Sequence, residues 1–181
     1  QEKLVARLRC GGGRGQSNQI AEYQGFDGCR AAALVSGGGK GCAWGCLGLA
    51  DCERACTFDA IHMNANGLPQ VDPDKCRACP DCVAACPRDL MELVPINQNL
   101  YVQCNMPLAG EAATALCATA CDACGRCAAV CPSFLDVDRG TRVADPECTG
   151  CLECVDVCGP GALSARRQSS DAKFEMERCF S

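Results

Sequence analysis

The chain has 181 residues, a formal net charge of −5, one histidine and 21 cysteines, and only 4% of its residues are aromatic. The acidic balance argues against nucleic-acid binding, and no apolar run approaches the roughly 20 residues of a membrane-spanning helix. The cysteine content would suit a disulfide-rich secreted protein, but no signal peptide is recognisable in these residues, so we expect a reducing compartment. Cysteines spaced two or three residues apart favour metal binding over disulfides.

The first part of the chain contains a strand signal, a helix signal and a glycine-rich turn. Apolar and polar residues alternate over residues 4–10, which is typical of a short strand. Residues 27–35 predict a helix capped by Asp27. Residues 37–41 superficially resemble a phosphate-binding loop, but Cys42 stands where Ser or Thr is required. We therefore expect a flexible turn that lets the backbone approach a metal cluster.

Three cysteine runs are regular. Residues 121–132 have the pattern C-x2-C-x2-C-x3-C-P, the ligand run of bacterial-type ferredoxins, in which thiolates bind [4Fe-4S] clusters. Residues 76–87 repeat this pattern, and residues 148–159 repeat it with Gly159 in place of the proline. Zinc ribbons use two separated cysteine pairs, whereas these runs have four cysteines in a row. The runs therefore predict an iron–sulfur protein.

The first run is irregular, because Leu49 stands where its second cysteine should be. The first, third and fourth positions are held by Cys46, Cys52 and Cys56. One ligand must therefore come from elsewhere. Cys42 is the nearest candidate, and Cys10 and Cys29 are alternatives.

In the first pair of runs, each run is followed by a short apolar segment, at residues 58–61 and at residues 90–93. A turn and a short strand at residues 64–73 connect the first run to the second. The arrangement then recurs. Residues 100–104 repeat the first strand, and the alanine-rich residues 111–118 predict a second helix before the third run.

We therefore predict an α+β fold of tandem bacterial-type 2[4Fe-4S] ferredoxin modules, each preceded by a small strand–helix unit. The predicted parts follow one another along the chain. They are a strand–helix unit (1–41), a first two-cluster module (42–95), a strand–helix linker unit (96–120), a second two-cluster module (121–165) and a polar tail (166–181).

Four clusters follow from the rule that the fourth cysteine of a run ligates the other cluster of a pair. The two predicted sets in the second module are Cys121, Cys124, Cys127 with Cys158, and Cys148, Cys151, Cys154 with Cys131. The regular set in the first module is Cys76, Cys79, Cys82 with Cys56. The irregular set is Cys46, Cys52 and Cys86 with Cys42.

Five cysteines remain outside these sets, namely Cys10, Cys29, Cys104, Cys117 and Cys179. The first four occupy repeat-related or helix-start positions, so a fifth cluster bound by them is one alternative. The other alternative, which we favour slightly, is that they are small buried thiols. Cys179 lies in the polar tail and is expected to be an exposed thiol without a metal.

No catalytic motif accompanies the cysteines. His62 is the single histidine, so a Rieske-type centre, which needs two, is excluded and a structural role is expected. Trp44 and Tyr101 lie near cysteines and are expected to shield clusters. No residue pattern typical of substrate binding or dinucleotide binding is present. The expected chemistry is electron transfer, without a catalytic residue.

Four segments carry a more specific likeness, at residues 9–11, 23–32, 42–49 and 56–62. Together they resemble the B subunit of the Rnf membrane complex, a ferredoxin:NAD oxidoreductase coupled to ion translocation. The resemblance covers about residues 4–165. It is more specific than the ferredoxin runs, which many oxidoreductase subunits share.

This resemblance implies a non-catalytic subunit that accepts electrons from reduced soluble ferredoxin and passes them to other subunits. It implies a location at the cytoplasmic face of the membrane, reached through partner subunits or through the family's N-terminal anchor, which is not among these residues. The alternatives are a soluble polyferredoxin-type carrier and an electron-transfer subunit of a different redox complex. A fixed subunit is favoured, because a free carrier gains little from four clusters in line.

Overall fold

A computed structural model of the protein describes residues 2–98, 100–131 and 151–165. Its strands are β1 (Leu4–Leu8), β2 (Ile61–Met63), β3 (Pro69–Val71), β4 (Met91–Pro95), β5 (Leu100–Val102) and β6 (Leu163–Ala165). Its helices are α1 (Cys29–Leu34), α2 (Asp51–Arg54), α3 (Asp81–Ala85), α4 (Gly110–Thr114), α5 (Arg126–Val130) and α6 (Glu153–Asp156). The predicted mixture of small helices and strands is confirmed. In the described ranges, no helix has the length and apolar character needed to cross a membrane.

The strands form two-stranded antiparallel pairs, two of which join distant parts of the chain. β1 pairs with β4, from Leu4 opposite Pro95 to Leu8 opposite Met91. β5 pairs with β6, and β2 pairs with its neighbour β3. A two-stranded pair is marginally stable by itself, so each depends on what packs against it. Helix α2 packs against α3 and α5 against α6, which brings the second half of each pair of runs beside the first.

The predicted helix at residues 27–35 is present as α1, but the predicted cap is wrong. The residue before the helix is Gly28, and no side chain from the helix start caps it. Instead, the Arg30 backbone amide donates to Asp51 Oδ2 at 3.1 Å. This acceptor lies 21 positions away, so local capping rules could not identify it.

A turn is present at the glycine-rich residues, as expected. A 3₁₀ turn spans Ser36–Gly39, and Gly37 and Gly38 have φ angles of 62° and 68°, in the left-handed region that glycine adopts without strain. A side chain on Gly38 would begin 3.2 Å from carbons of Ala32 and Leu47. The turn therefore packs closely against α1 and the first cysteine run.

The core consists of small aliphatic side chains and sulfur. Leu90, Leu100 and Val5 are the largest fully buried side chains in the described residues. Cysteines pack among them in every core cluster. Because aromatic side chains are scarce, the thiols supply part of the core itself, and whatever the thiols bind contributes to stability.

Leu90 has no exposed surface, so Leu90→Ala should lower the free energy of unfolding by about 2–5 kcal/mol, as large-to-small core substitutions do. Anaerobic urea denaturation of the full chain measures the change. Leu34→Ala is the matched control, because Leu34 is 88% exposed and should shift stability by less than about 0.5 kcal/mol. Equal effects of the two substitutions would contradict this packing.

Candidate metal centres

One apolar cavity is lined by four cysteines from three separate stretches of the chain. They are Cys29, Cys46, Cys52 and Cys86. About 380 Å³ of space at this cavity, open solvent included, is not filled by atoms, and Leu8 and Leu90 form part of the wall. Burial and the three neighbouring cavity thiols raise the pKa of Cys52 to about 12, and burial first of all raises the pKa of Cys46 to about 12. Four thiols thus line one cavity with apolar walls.

Cys29 reaches this cavity because α1 is held against the first run. Asp51 accepts the Arg30 amide, and Arg54 Nη2 donates to the carbonyl oxygens of Leu49 at 2.7 Å and Asp27 at 3.2 Å. Burial alone would raise the pKa of Asp51, but the backbone amides of Arg30 and Cys29 and the Arg54 side chain hold it below its usual value. The carboxylate is therefore ionised where it fixes the start of α1.

Cys42 does not line this cavity. It is buried in a different core cluster that also contains Cys117, with Cys104 and Trp44 packed against it. The other three cysteines of the irregular set, which was predicted with Cys42, thus line one cavity with Cys29 instead. The sequence had offered Cys29 only as an alternative, because 17 residues and a helix separate it from Cys46.

The cysteine loops share a backbone conformation that favours their convergence. The residue two positions after the first cysteine of a run is left-handed in three runs, at Gly48, Ala78 and Ala123, with φ between 56° and 72°. In the irregular run, Ala50 follows Leu49, which stands in place of the second cysteine, and its backbone is also left-handed. Leu152, which follows the second cysteine of the last run, has the same conformation. For a non-glycine residue this conformation costs on the order of 1 kcal/mol or more, so surrounding structure must maintain it. The irregular loop therefore keeps the shape of a cluster loop although Leu49 replaces the cysteine.

The regular set of the first module is also brought together. Burial, and then the neighbouring thiols of Cys76, Cys79 and Cys56, raise the pKa of Cys82 to about 11. The ligands come from both runs, as the crossed arrangement predicts.

A second small cavity is lined by one complete predicted set of the second module, Cys121, Cys124, Cys127 and Cys158. Burial raises the pKa of Cys127, and the other three thiols raise it further. In the remaining set, Cys154 is buried in the same core cluster against which Cys131 packs. Cys148 and Cys179 lie outside the described residues.

Backbone amides point at several sulfurs. The amides of Ala60 and Leu90 donate to Cys56 Sγ and Cys86 Sγ, each at 3.4 Å and each four residues after the cysteine. The Ala6 amide donates to Cys76 Sγ at 3.5 Å. Such bonds stabilise a thiolate and tune the potential of an iron–sulfur cluster. The apolar tails after each fourth cysteine therefore place donors on the sulfurs as well as closing the core.

The residues fit [4Fe-4S] clusters better than single ions. Within the described ranges, no three His, Cys, Asp or Glu side chains converge on a point where one ion could bind. A cubane carries its four thiolates on four separate irons, so its ligands remain further apart than those around one ion. Four thiols around a cavity, with amides directed at the sulfurs, match this donor set.

Two other residues singled out in the sequence, His62 and Tyr101, lie against charged side chains. His62 is half-exposed, with Nδ1 3.7 Å from Glu53 and Nε2 3.6 Å from Asp59. The Tyr101 ring lies under the Arg7 guanidinium, 5.5 Å from its centroid. Asp51 and Arg54 were not identified from the sequence. Their role depends on a contact between α1 and α2, which a local sequence pattern cannot predict.

Asp51→Ala should loosen the start of α1, because the Arg30 amide and Arg54 lose their common acceptor. We expect the free energy of unfolding to fall by about 1 kcal/mol, which is typical of a removed helix cap. We also expect a lower iron content after anaerobic desalting. Asp27→Ala is the matched control, since Asp27 also faces Arg54, at 3.7 Å, but is exposed. Unchanged iron and stability in Asp51→Ala would contradict the positioning role.

Comparisons with known proteins agree with this chemistry. The 4Fe-4S dicluster domain family matches residues 115–159. The chain is 43% identical over 164 residues to the B subunit of the Na(+)-translocating ferredoxin:NAD(+) oxidoreductase complex of Acetobacterium woodii, covering 90% of this chain and 49% of that protein. It is 38% identical to the B subunit of the proton-translocating ferredoxin:NAD(+) oxidoreductase complex of Clostridium ljungdahlii, covering 97% and 63% respectively.

The B subunit of an ion-translocating oxidoreductase complex of Methanosarcina acetivorans is 33% identical, with 91% of this chain and 63% of that protein covered. The chain therefore spans 49% to 63% of the length of these relatives.

Proposed function

From its relationship to the B subunits of Rnf complexes, which confirms the resemblance predicted from the sequence, we propose that the chain is an electron-transfer polyferredoxin subunit of a multi-subunit oxidoreductase. The observation that carries the proposal is the convergence of cysteines from distant stretches into four-thiol sets around small apolar cavities. A bound [4Fe-4S] cluster accepts one electron and donates one electron, with no bond made or broken.

The residues of the chain hold and tune this group. Thiols that are buried together resist ionisation, as the raised pKa values of Cys46 and Cys52 indicate, so they form a stable thiolate set only when a cation neutralises them. Backbone amides directed at the sulfurs stabilise the thiolate charge. The apolar walls lower the local dielectric constant and limit the access of water to the site.

We propose four sites in tandem two-cluster modules at residues 42–95 and 121–165, one of which takes a ligand from the part at 1–41. Three keep the ligand sets predicted from the runs. The fourth consists of Cys46, Cys52 and Cys86 with Cys29 in place of Cys42. The parts at 1–41 and 96–120 supply β1 and β5, which pair with the ends of the modules, and α1, which supplies Cys29.

The proposed partners are other subunits of a redox complex, with reduced soluble ferredoxin as donor. Two of the similar B subunits come from complexes named as ferredoxin:NAD(+) oxidoreductases. The net charge of −5 would favour basic partner surfaces. Placement at the cytoplasmic face of a membrane, through partner subunits or a family-type anchor, belongs to the same proposal.

The proposal is tested on anaerobically purified full chain by assaying iron, acid-labile sulfide and zinc, and by EPR after reduction with dithionite and with reduced ferredoxin. We expect equal iron and sulfide and reduction by both agents. Zinc in place of iron would overturn the electron-transfer function. Clusters without any co-purifying partner subunit would instead favour a soluble carrier.

The choice of Cys29 gives a separate prediction. Cys29→Ala should lose about four irons per chain, the content of one cluster, whereas Leu49→Cys should restore them in the double variant. Restoration is expected because the Ala50 backbone has the left-handed conformation found after the second cysteine of a regular run. Leu49→Cys alone is the control and should keep its iron. Full iron in Cys29→Ala would contradict the assignment.

A further inference from the structure

We propose that Lys40 is a fixed counter-charge for the cluster of the irregular set and raises the reduction potential of that cluster. The inference rests on the proposed function, because it assumes that the cavity lined by Cys29 and Cys46 holds a [4Fe-4S] cluster. Lys40 belongs to the glycine-rich segment at residues 37–41, which resembles a phosphate-binding loop only superficially. The proposed function gives this lysine no role, although its side chain ends beside a proposed ligand residue.

The Lys40 ammonium group binds two separate parts of the backbone. Its Nζ donates to the carbonyl oxygen of Gly12 at 2.6 Å and to the carbonyl oxygen of Cys46 at 2.5 Å. An ammonium group has three donors and no acceptor, so these two carbonyl groups direct most of its hydrogen bonding. The positive charge therefore contacts the same residue whose sulfur would bind iron.

The surrounding backbone fixes the position of Lys40. The Ile20 amide donates to the carbonyl oxygen of Gly39 at 2.9 Å. Gly39 has a φ angle of 74°, and a side chain there would collide with the carbonyl oxygen of Ala21, so glycine is required directly before the lysine. A side chain on Gly45 would begin 3.1 Å from Lys40 Cε, so the lysine side chain lies close against this backbone. The fold itself thus sets the place of the ammonium group.

Lys40 lacks a protein anion as its partner. Among the residues that the structure describes, no carboxylate forms an ion pair with it, whereas Lys75 pairs with Asp59 at 2.8 Å. Glu22 lines the same open cavity as Lys40 but is exposed to solvent. A half-buried cation loses part of its hydration, and a nearby anion offsets that cost. A cluster with four thiolate ligands carries negative charge and would be such an anion.

The charge of Lys40 acts on the cavity thiols in the expected direction. Burial first of all raises the pKa of Cys46, whereas the Gly48 amide and Lys40 lower it. The same attraction would act on a cluster. Reduction adds one electron to the cluster and makes its net charge more negative, so a fixed positive charge stabilises the reduced form more than the oxidised form. Lys40 therefore favours electron acceptance at the irregular site.

The test is a redox titration of the anaerobic full chain, with mediator dyes and EPR detection of the reduced clusters. Lys40→Met removes the charge and keeps a side chain of similar length. We expect full iron and sulfide contents and a change in one EPR signal. At a given potential, the ratio of reduced to oxidised cluster in that signal should fall about tenfold, which corresponds to a potential lower by about 59 mV. The signal should be the one that is missing in Cys29→Ala.

Two further variants are matched controls. Lys40→Arg retains the positive charge, and Arg14→Met removes a charge from an exposed side chain that lines the same cavity as Lys40. We expect both to keep the ratio of reduced to oxidised cluster within about threefold of the unaltered chain, because solvent and salt screen an exposed charge such as that of Arg14. Equal shifts in Lys40→Met and Lys40→Arg would assign the effect to lost packing and would overturn the proposal.

The outcomes separate this inference from the proposed function. Unchanged potentials in a Lys40→Met chain with full iron content would overturn the counter-charge and leave the proposed function intact. An unaltered chain without clusters would overturn the proposed function, and the counter-charge with it. If Lys40→Met does not assemble its clusters, Lys40→Gln retains an N–H donor for one of the carbonyl groups and should lower the same potential. A potential in Lys40→Gln equal to that of the unaltered chain would likewise contradict the proposal.

Discussion

The burial of thiols in groups is the interaction on which the rest of this structure depends. Burial and the neighbouring thiols make ionisation of a cavity cysteine harder, as the pKa of about 12 for Cys52 illustrates. Without positive charge such groups would stay protonated and would add little beyond packing. Iron reverses this balance, because it takes thiolates as ligands and offsets their charge. In the proposed function, the metal that carries the electron would therefore also hold the cysteine loops in place.

This dependence explains how a fold made of short helices and two-stranded pairs can be stable. The described helices have four to six residues, and the strands pair only two by two, so neither class of element is stable alone. The cysteine sets draw ligands from stretches far apart, such as Cys29 and Cys86. Metal binding in this arrangement cross-links α1, the first run and the end of the second run. Binding energy and folding energy are then the same quantity, as in other small metal-dependent domains.

Features set by local spacing could be predicted from the sequence. The regular runs, the β1 strand and the glycine turn follow from short patterns, and the repeat made the second half interpretable from the first. Features that depend on tertiary contacts could not be predicted from the sequence. The helix α1 is anchored by Asp51 rather than by the adjacent Asp27, and the irregular cavity takes Cys29 rather than the nearer Cys42. In both cases the residue that fills the role lies 17 or more positions away, where sequence distance is a poor guide.

The central claim is that cysteines from separate stretches hold iron together in the cavities that they line. Diffraction from crystals of the anaerobic full chain, measured at the iron absorption edge, tests this directly. The account predicts compact anomalous density in the cavity lined by Cys29, Cys46, Cys52 and Cys86, with each sulfur bonded to iron. Absence of iron density there, or pairing of these sulfurs in disulfides, would contradict it.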